Sequence, residues 1–385
     1  MALGKYVVAL LTLPIRLVAT DIRVQIPLLL AIIYYPERIK SLLSEKVSCW
    51  IIAPRFLQGL KALVGFSIIR GTNNKLSQYV INNWKRDAKF INGEEIVLIT
   101  GGSSGLGALM AQDFAQRGVK VITMDVNPPQ KTQGQFTASY SVSSRLLTLF
   151  KDGIHFYKVD VTSSEGLAAA GAEIRKTHGD PTVLINNAAV GYAMTLLDEP
   201  EESIRRSFEV NTFSHFLTAK EFLPAMIKKN HGHVVTVASM ASYVTVASII
   251  DYNCTKASSV AFHEGVASEL KHRYNAPNVR TSLITPTWIR TPLIDALTSD
   301  PSFNDIILEP TDVSSEIVKQ VISGRSGHVV LPKFYAPITG IRAWPSWLQE
   351  SVRNHLGPLF DLKVRWGGKH KIDPRLTGGT IADLK

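Results

Sequence analysis

From Ile96 onward the chain alternates short uninterrupted apolar runs with longer stretches whose apolar positions recur at helical spacing. The runs are "IVLIT" (96–100), "VITMDV" (121–126), "IHFYKVD" (154–160), "TVLINNA" (182–188), "HVVTVAS" (233–239), "RTSLIT" (280–285) and "HVVLP" (328–332). A strand that is apolar at every position is covered on both faces, and the stretches between these runs are long enough for crossover helices. The pattern therefore predicts an α/β domain over 94–332, a doubly wound parallel sheet of about seven strands with helices on both faces. One crossover departs from it. The stretch 127–150 carries two prolines and a Ser/Thr-rich tract, so its helix is expected to be late or irregular, and no role is assigned to it.

The ends of the chain read differently. In 1–93 the apolar runs "YVVALLTLPI" (6–15) and "VQIPLLLAIIYY" (24–35) each fall short of the ~18–20 residues a spanning helix needs. Pro14 and Pro27 interrupt them, and Arg16, Asp21 and Arg23 lie between them. A third segment, "RFLQGLKALVGFSII" (55–69), places Phe56, Leu60, Leu63 and Val64 at helical spacing, as in an interfacial helix. Residues 1–93 thus read as a membrane-anchoring, amphipathic extension that dips into one leaflet. The stretch 333–385 reads as a C-terminal extension whose Tyr335, Trp344 and Trp347 are of the type that settles at a bilayer interface.

Charge sharpens this picture. The net charge of +10 divides into +9 over 1–93, −5 over 94–324 and +6 over 325–385. The basic surplus sits at the two apolar ends, which suits an anionic membrane surface and excludes a nucleic-acid reader, for which a basic stripe on a polar fold would be expected. Two cysteines, Cys49 and Cys254, are too few for a disulfide framework and are expected to be free thiols. Lys5 ahead of an apolar stretch resembles a short signal peptide, but the Asn253-Cys254-Thr255 glycosylation match lies inside the candidate catalytic stretch Tyr252–Lys256, where a bulky glycan could not be tolerated. A cytosolic face is expected.

Candidate chemistry begins at the end of the first run. "TGGSSGLG" (100–107) places Gly101, Gly105 and Gly107 between a strand and a helical pattern. Glycines there let backbone approach a pyrophosphate, and the helix N-terminus offers it free N–H groups. Asp125, at the end of the second run, is placed to accept from the adenosine ribose hydroxyls and to repel a 2′-phosphate, while residues 100–107 and 125–128 hold no Lys or Arg. NAD is expected over NADP. No Gly-Lys-[Ser/Thr] follows, so a nucleoside-triphosphate loop is excluded.

Further along, "YNCTK" puts Tyr252 and Lys256 four residues apart, hence on one helix face. A fixed cation beside a phenol of pKa about 10 favours the phenolate and draws its pKa toward a working range. Ser239, at the end of its strand, emerges at the sheet edge that carries the glycine turn.

Together these stretches, with Asp125, "VDV" (159–161), "NNAAV" (186–190), Asn211 in "EVNTF" and "PTWIRT" (286–291), resemble the short-chain dehydrogenase/reductase family over roughly 94–332. The resemblance implies a Rossmann-type fold and hydride transfer at a CH–OH group without a metal. It implies that Tyr252 exchanges the proton of the substrate oxygen, that Ser239 hydrogen-bonds that oxygen, that Lys256 binds the nicotinamide ribose and lowers the tyrosine pKa, and that Asn211 holds a relay water. For the cofactor it implies contacts from Gly101, Ser103, Ser104, Gly105, Leu106, Gly107, Asp125, Asp160, Val161, Asn187, Tyr252, Lys256, Pro286 and Thr291. His263 and Cys254 are expected only to pack.

Ala189 stands where the family usually has glycine, and Pro286-Thr287 where it has Pro-Gly, so the nicotinamide pocket is expected to be reshaped. The layout of the basic, apolar extension resembles the membrane- and lipid-droplet-associated steroid and retinol dehydrogenases. That implies a lipophilic alcohol or carbonyl as substrate, a membrane or lipid-droplet partner, a cytosol-facing site at the endoplasmic reticulum or lipid droplet, and possible homodimers. Two other readings remain open, a lipid-surface scaffold with little turnover and a soluble enzyme whose ends bind a partner.

Overall fold

The computed structural model describes residues 21–42, 51, 53–86, 88–129, 148–149, 153–294, 303 and 305–356. The apolar run 6–15, most of the Ser/Thr-rich stretch and the tail beyond residue 356 lie outside the described residues, and so do the expectations that fall on them. The chain divides into two compact units, Met1–Ile81 and Asn82–Lys385.

In the first unit the described residues form α1 (Ile22–Tyr34), α2 (Pro36–Leu42) and α3 (Pro54–Ile81). Asp21 caps α1 by accepting from the Arg23 N–H at 2.9 Å, satisfying a donor that the helix itself leaves unpaired. Pro27 is accommodated inside α1. Leu60 and Val64 of α3 are buried. The helix runs on to Ile81, beyond the amphipathic stretch. Ile26, Leu30, Ile33, Phe66, Ile69 and Val80 remain exposed, and no helix among the described residues is long and apolar enough to cross a membrane.

In the second unit all seven expected runs form strands. They are β1 (Ile96–Thr100), β2 (Lys120–Asp125), β4 (Ile154–Lys158), β5 (Val183–Asn186), β6 (Gly232–Val237), β7 (Val279–Pro286) and β8 (Gly327–Leu331), joined by a short β3 (Thr148–Leu149). The sheet order is β3-β4-β2-β1-β5-β6-β7-β8. Every pair is parallel except β3 with β4. The crossovers carry α4 (Gly105–Gln116), α5 (Ser164–His178), α6 (Glu201–Phe208), α7 (Ser214–Lys229), α8 (Ile250–His272) and α9 (Pro310–Ile322), and α10 (Ser346–Leu356) follows the sheet.

Side-chain alternation along β1 explains the two layers of helices. Val97 and Ile99 pack in one core with Met110 and Phe114 of α4 and Ile317 of α9, whereas Leu98 packs in the other with Leu167 and Ile174 of α5 and Phe222 of α7. Each such fully buried side chain contributes on the order of 2–3 kcal/mol by leaving water. The strand order reverses between β1 and β5, and at that point the carboxyl edge of a doubly wound sheet opens into a crevice.

Residues 82–86 belong to the second unit and are tied to its sheet. Arg280 of β7 donates to the carbonyls of Asn82 at 2.8 Å and Lys85 at 3.0 Å, and Asn82 Oδ1 accepts from the Ser326 N–H at 2.8 Å.

Candidate active site

The glycine turn leaves β1 with Gly101 at φ +66°, a conformation that disfavours any side chain. A Cβ on Gly101 would lie 2.8 Å from Ala188 Cα, and one on Gly107 would lie 2.0 Å from the Gly101 carbonyl oxygen. The helix can therefore start against the strand only because both positions are glycine. Asn187 fastens the turn from the neighbouring strand, its amide nitrogen Nδ2 donating to the carbonyls of Thr100 at 3.0 Å and Gly101 at 3.2 Å.

Ser104 then stands at the N-cap of α4, its side chain making no capping bond. The buried Ser103 Oγ has no hydrogen-bond partner among the described residues. The Asp125 carboxylate closes the turn on its outer side, accepting from the Ser103 N–H and the Asn127 N–H at 3.1 Å each. A glycine cradle that a Cβ would fill, an uncapped helix N-terminus and an unpartnered hydroxyl fit the pyrophosphate and ribose of a dinucleotide.

Next along this edge, Asp160 follows β4. Its Oδ1 accepts from the Thr162 N–H at 2.9 Å and the Thr162 hydroxyl at 2.7 Å, and its Oδ2 accepts from Arg206 at 3.2 Å. Burial works to raise its pKa, but the Thr162 bonds and the Arg206 charge outweigh it and hold the carboxyl below the usual range.

The other end of the crevice holds Ser239, Tyr252 and Lys256. Ser239 ends the β6 segment and opens a 3₁₀ turn, accepting from the Ala241 N–H at 3.2 Å and donating to the Pro286 carbonyl at 3.3 Å. Ser239 lies beside Tyr252 and works to lower the pKa of its hydroxyl. Lys256 sits one turn further along α8, its Nζ 5.5 Å from the Tyr252 ring centroid and 3.0 Å from the Val237 carbonyl to which it donates. The fully buried Asn211 lies in a π turn (Glu209–Phe213) and spends its carboxamide on other groups. Oδ1 accepts from the Val190 N–H at 2.8 Å, while Nδ2 donates to the Val190 carbonyl at 2.8 Å and to the Thr255 hydroxyl at 3.1 Å.

A single cavity of about 860 Å³ runs past both ends and is lined by Gly101, Asp125, Asp160, Ser239, Tyr252, Lys256 and Thr291 among others. Its lining also includes the apolar Val244, Val246, Ile249, Trp288, Leu293, Ile338, Val352 and Leu356, with the polar Asp305, Tyr335, Ser351 and His355.

The model of the short chain dehydrogenase family matches residues 95–302. The chain belongs to the short-chain dehydrogenase family. This short-chain dehydrogenase is 34% identical over 277 residues to estradiol 17-beta-dehydrogenase 11 of Rattus norvegicus, an alignment spanning 71% of this chain and 88% of the relative. It is 43% identical over 210 residues to the dehydrogenase RED2 of Cochliobolus heterostrophus, spanning 54% and 73%. A solved short chain dehydrogenase/reductase of Burkholderia phymatum in complex with NAD shares the fold at a TM-score of 0.54 and 22% identity, over 68% of this chain and 96% of that one. The protein is accordingly an oxidoreductase that uses a nicotinamide cofactor on CH–OH groups.

Electrostatics in the dehydrogenase differ from the expectation that Lys256 brings the tyrosine down. Burial pushes Tyr252 up to about 12, Ser239 opposing this and the Asp251 carboxylate adding to it. Burial likewise brings Lys256 down to about 8. At this separation, with the ammonium turned to a carbonyl, desolvation of both groups exceeds their mutual effect.

Of the catalytic and cofactor residues expected from the sequence, all but Ser103 and Asn211 line this cavity, and the carboxamides of Asn187 and Asn211 bond backbone groups and Thr255. Thr291 lines the cavity while donating to the Ile289 carbonyl at 3.2 Å. Pro286 ends β7 there. Arg206 and the wall from α10 were missed. The only signal for α10 was the spacing of Leu348, Val352 and Leu356 in "SWLQESVRNHL", and nothing local in α6 singles out Arg206.

Proposed function

We propose that this dehydrogenase moves a hydride between NAD and a lipophilic alcohol or carbonyl compound presented at a membrane surface. The observation that carries the reading is the predominantly apolar lining of the cavity that also holds Ser239, Tyr252 and Lys256. Such a lining favours a ligand that buries apolar area over a small hydrated sugar or acid. The relative's name, estradiol 17-beta-dehydrogenase 11, points the same way.

Bound nicotinamide supplies or accepts the hydride. The protein's part is the proton and the placement. The Tyr252 phenol, protonated at neutral pH, donates to the developing alkoxide in reduction and takes the proton back in oxidation. Ser239 exchanges its bond to the Pro286 carbonyl for one to the substrate oxygen and fixes that atom beside Tyr252. Lys256, which donates to the Val237 carbonyl, would offer its remaining N–H groups to the nicotinamide ribose. Asn211 holds the Val190 loop and α8 in register, which places Tyr252.

Asp125 favours NAD by accepting from the adenosine ribose hydroxyls, at a point where a 2′-phosphate would meet its charge. The exposed Ile26, Leu30, Ile33, Phe66 and Ile69 beside basic residues support an interfacial anchor, with the catalytic unit on the cytosolic side of endoplasmic reticulum or lipid droplet. The test is a spectrophotometric screen of NAD and NADP against steroids, retinoids and long-chain alcohols in detergent. Turnover confined to small hydrophilic alcohols would refute the substrate class.

A further inference from the structure

Arg206 reaches the adenosine end of the cavity from α6, an element that lies far in sequence from the glycine turn. It lines the cavity together with Asp125, Asn127, Val159, Asp160 and Val161. Its guanidinium is held by in-plane bonds, Nη2 to Asp160 Oδ2 at 3.2 Å and Nη1 to the Thr162 hydroxyl at 3.2 Å, with Glu209 Oε2 4.0 Å from Nη1. In-plane bonds fix the orientation of a planar cation without covering its faces, and the Arg206 side chain keeps 36% of its surface exposed.

Asp160 is spent in the same arrangement. A carboxylate has about four acceptor positions. Three of Asp160's are taken by the Thr162 N–H, the Thr162 hydroxyl and Arg206. What this leaves for a base at the ends of β2 and β4 is a flat, charged face whose tilt Asp160 sets. A purine ring is an electron-rich disc, and guanidinium groups stack on such faces.

Resting on the reading of this crevice as a dinucleotide site, we propose that Arg206 is the adenine-facing wall of that site and that Asp160 acts by holding Arg206 flat.

Calorimetric binding of adenosine 5′-monophosphate, nicotinamide mononucleotide, NAD and NADP to the full chain in detergent tests this. Arg206→Ala should weaken adenosine monophosphate and NAD by about tenfold, the scale of a partly desolvated cation–π contact, and leave nicotinamide mononucleotide unchanged. Arg206→Lys should recover less than half of that loss, since an ammonium offers no planar face. Asp160→Asn should weaken the same two ligands, and the double variant should be no weaker than Arg206→Ala alone. Unchanged adenosine monophosphate binding in Arg206→Ala, full rescue by lysine, or a loss confined to NADP would overturn the inference. Additive losses in the double variant would overturn the role given to Asp160. A wild-type protein that bound neither NAD nor NADP would take down the dinucleotide reading as well, so the two failures are distinguishable.

Discussion

Replacing Lys256 by methionine should make the cofactor-free protein more stable at neutral pH while abolishing its chemistry. Lys256 is 2% exposed and its pKa is brought from the ordinary 10.5 down to about 8 by burial. The linkage sign follows from those two values. Between about pH 8 and 10.5 the unfolded chain binds the proton that the native protein has released, so wild-type stability rises with pH through that window, and below it the full penalty of a buried ammonium is present. At pH 7 that penalty is about 3 kcal/mol. Against it stands the bond from Nζ to the Val237 carbonyl, 3.0 Å long, worth ~1 kcal/mol and lost in the variant. Methionine fills a similar volume without a charge, so the net gain is about 2 kcal/mol, or roughly 4 °C in Tm for a domain of this size. Thermal denaturation from pH 7 to 10 without cofactor should show the variant above wild type at pH 7 and the gap closing as the pH rises. Saturating NAD should raise wild type more than the variant. A variant less stable at pH 7, or a gap that does not change with pH, would refute the assignment of Lys256 as a charge held at the expense of the fold.

Asp125→Ser should shift cofactor preference toward NADP by ~1–3 kcal/mol, the scale of a charge-assisted hydrogen bond plus the repulsion relieved, and an unchanged ratio of the two affinities would remove Asp125 from the ribose. Glu199 is held above the usual carboxylate range by burial and by the facing Asp251, so its contribution to stability falls as the pH rises; Glu199→Gln should therefore raise Tm at pH 8 and change it little at pH 5, as denaturation scans at the two values will report. A chain begun at Asn82 should fold and bind NAD, whereas one begun at Glu94 loses the carbonyls that receive Arg280 and should be less stable by ~2–4 kcal/mol in urea unfolding; equal stability of the two would show that 82–93 contributes nothing.

That last contrast marks where the sequence was least informative. The seven strands were legible because each is a continuous apolar run with no other way to be buried, and the glycine turn because Gly101 and Gly107 answer a steric demand that no other residue meets. The short β3 escaped notice because two residues at a sheet edge carry no period. Helix α8 hides its role from any reading by hydrophobicity, since Asp251, Asn253, Thr255, Lys256 and Ser259 make up much of its buried side. There the order of Ser239, Tyr252 and Lys256 spoke instead. Tertiary contacts carried the rest. Arg280 binds the residues before the first strand, Arg206 arrives from a helix far along the chain, and α10 walls the cavity rather than standing apart as an extension.

Hydride transfer that depends on Tyr252 is tested most directly by the appearance of reduced nicotinamide when wild-type protein and Tyr252→Phe are each given NAD and a panel of steroid, retinoid and long-chain alcohols in detergent, with NAD binding measured on the same samples. Turnover by wild type and none by the variant is expected, with both binding NAD within about twofold because only the hydroxyl is gone. Near-equal turnover by Tyr252→Phe, or a wild type that binds NAD yet oxidises none of these alcohols, would contradict it.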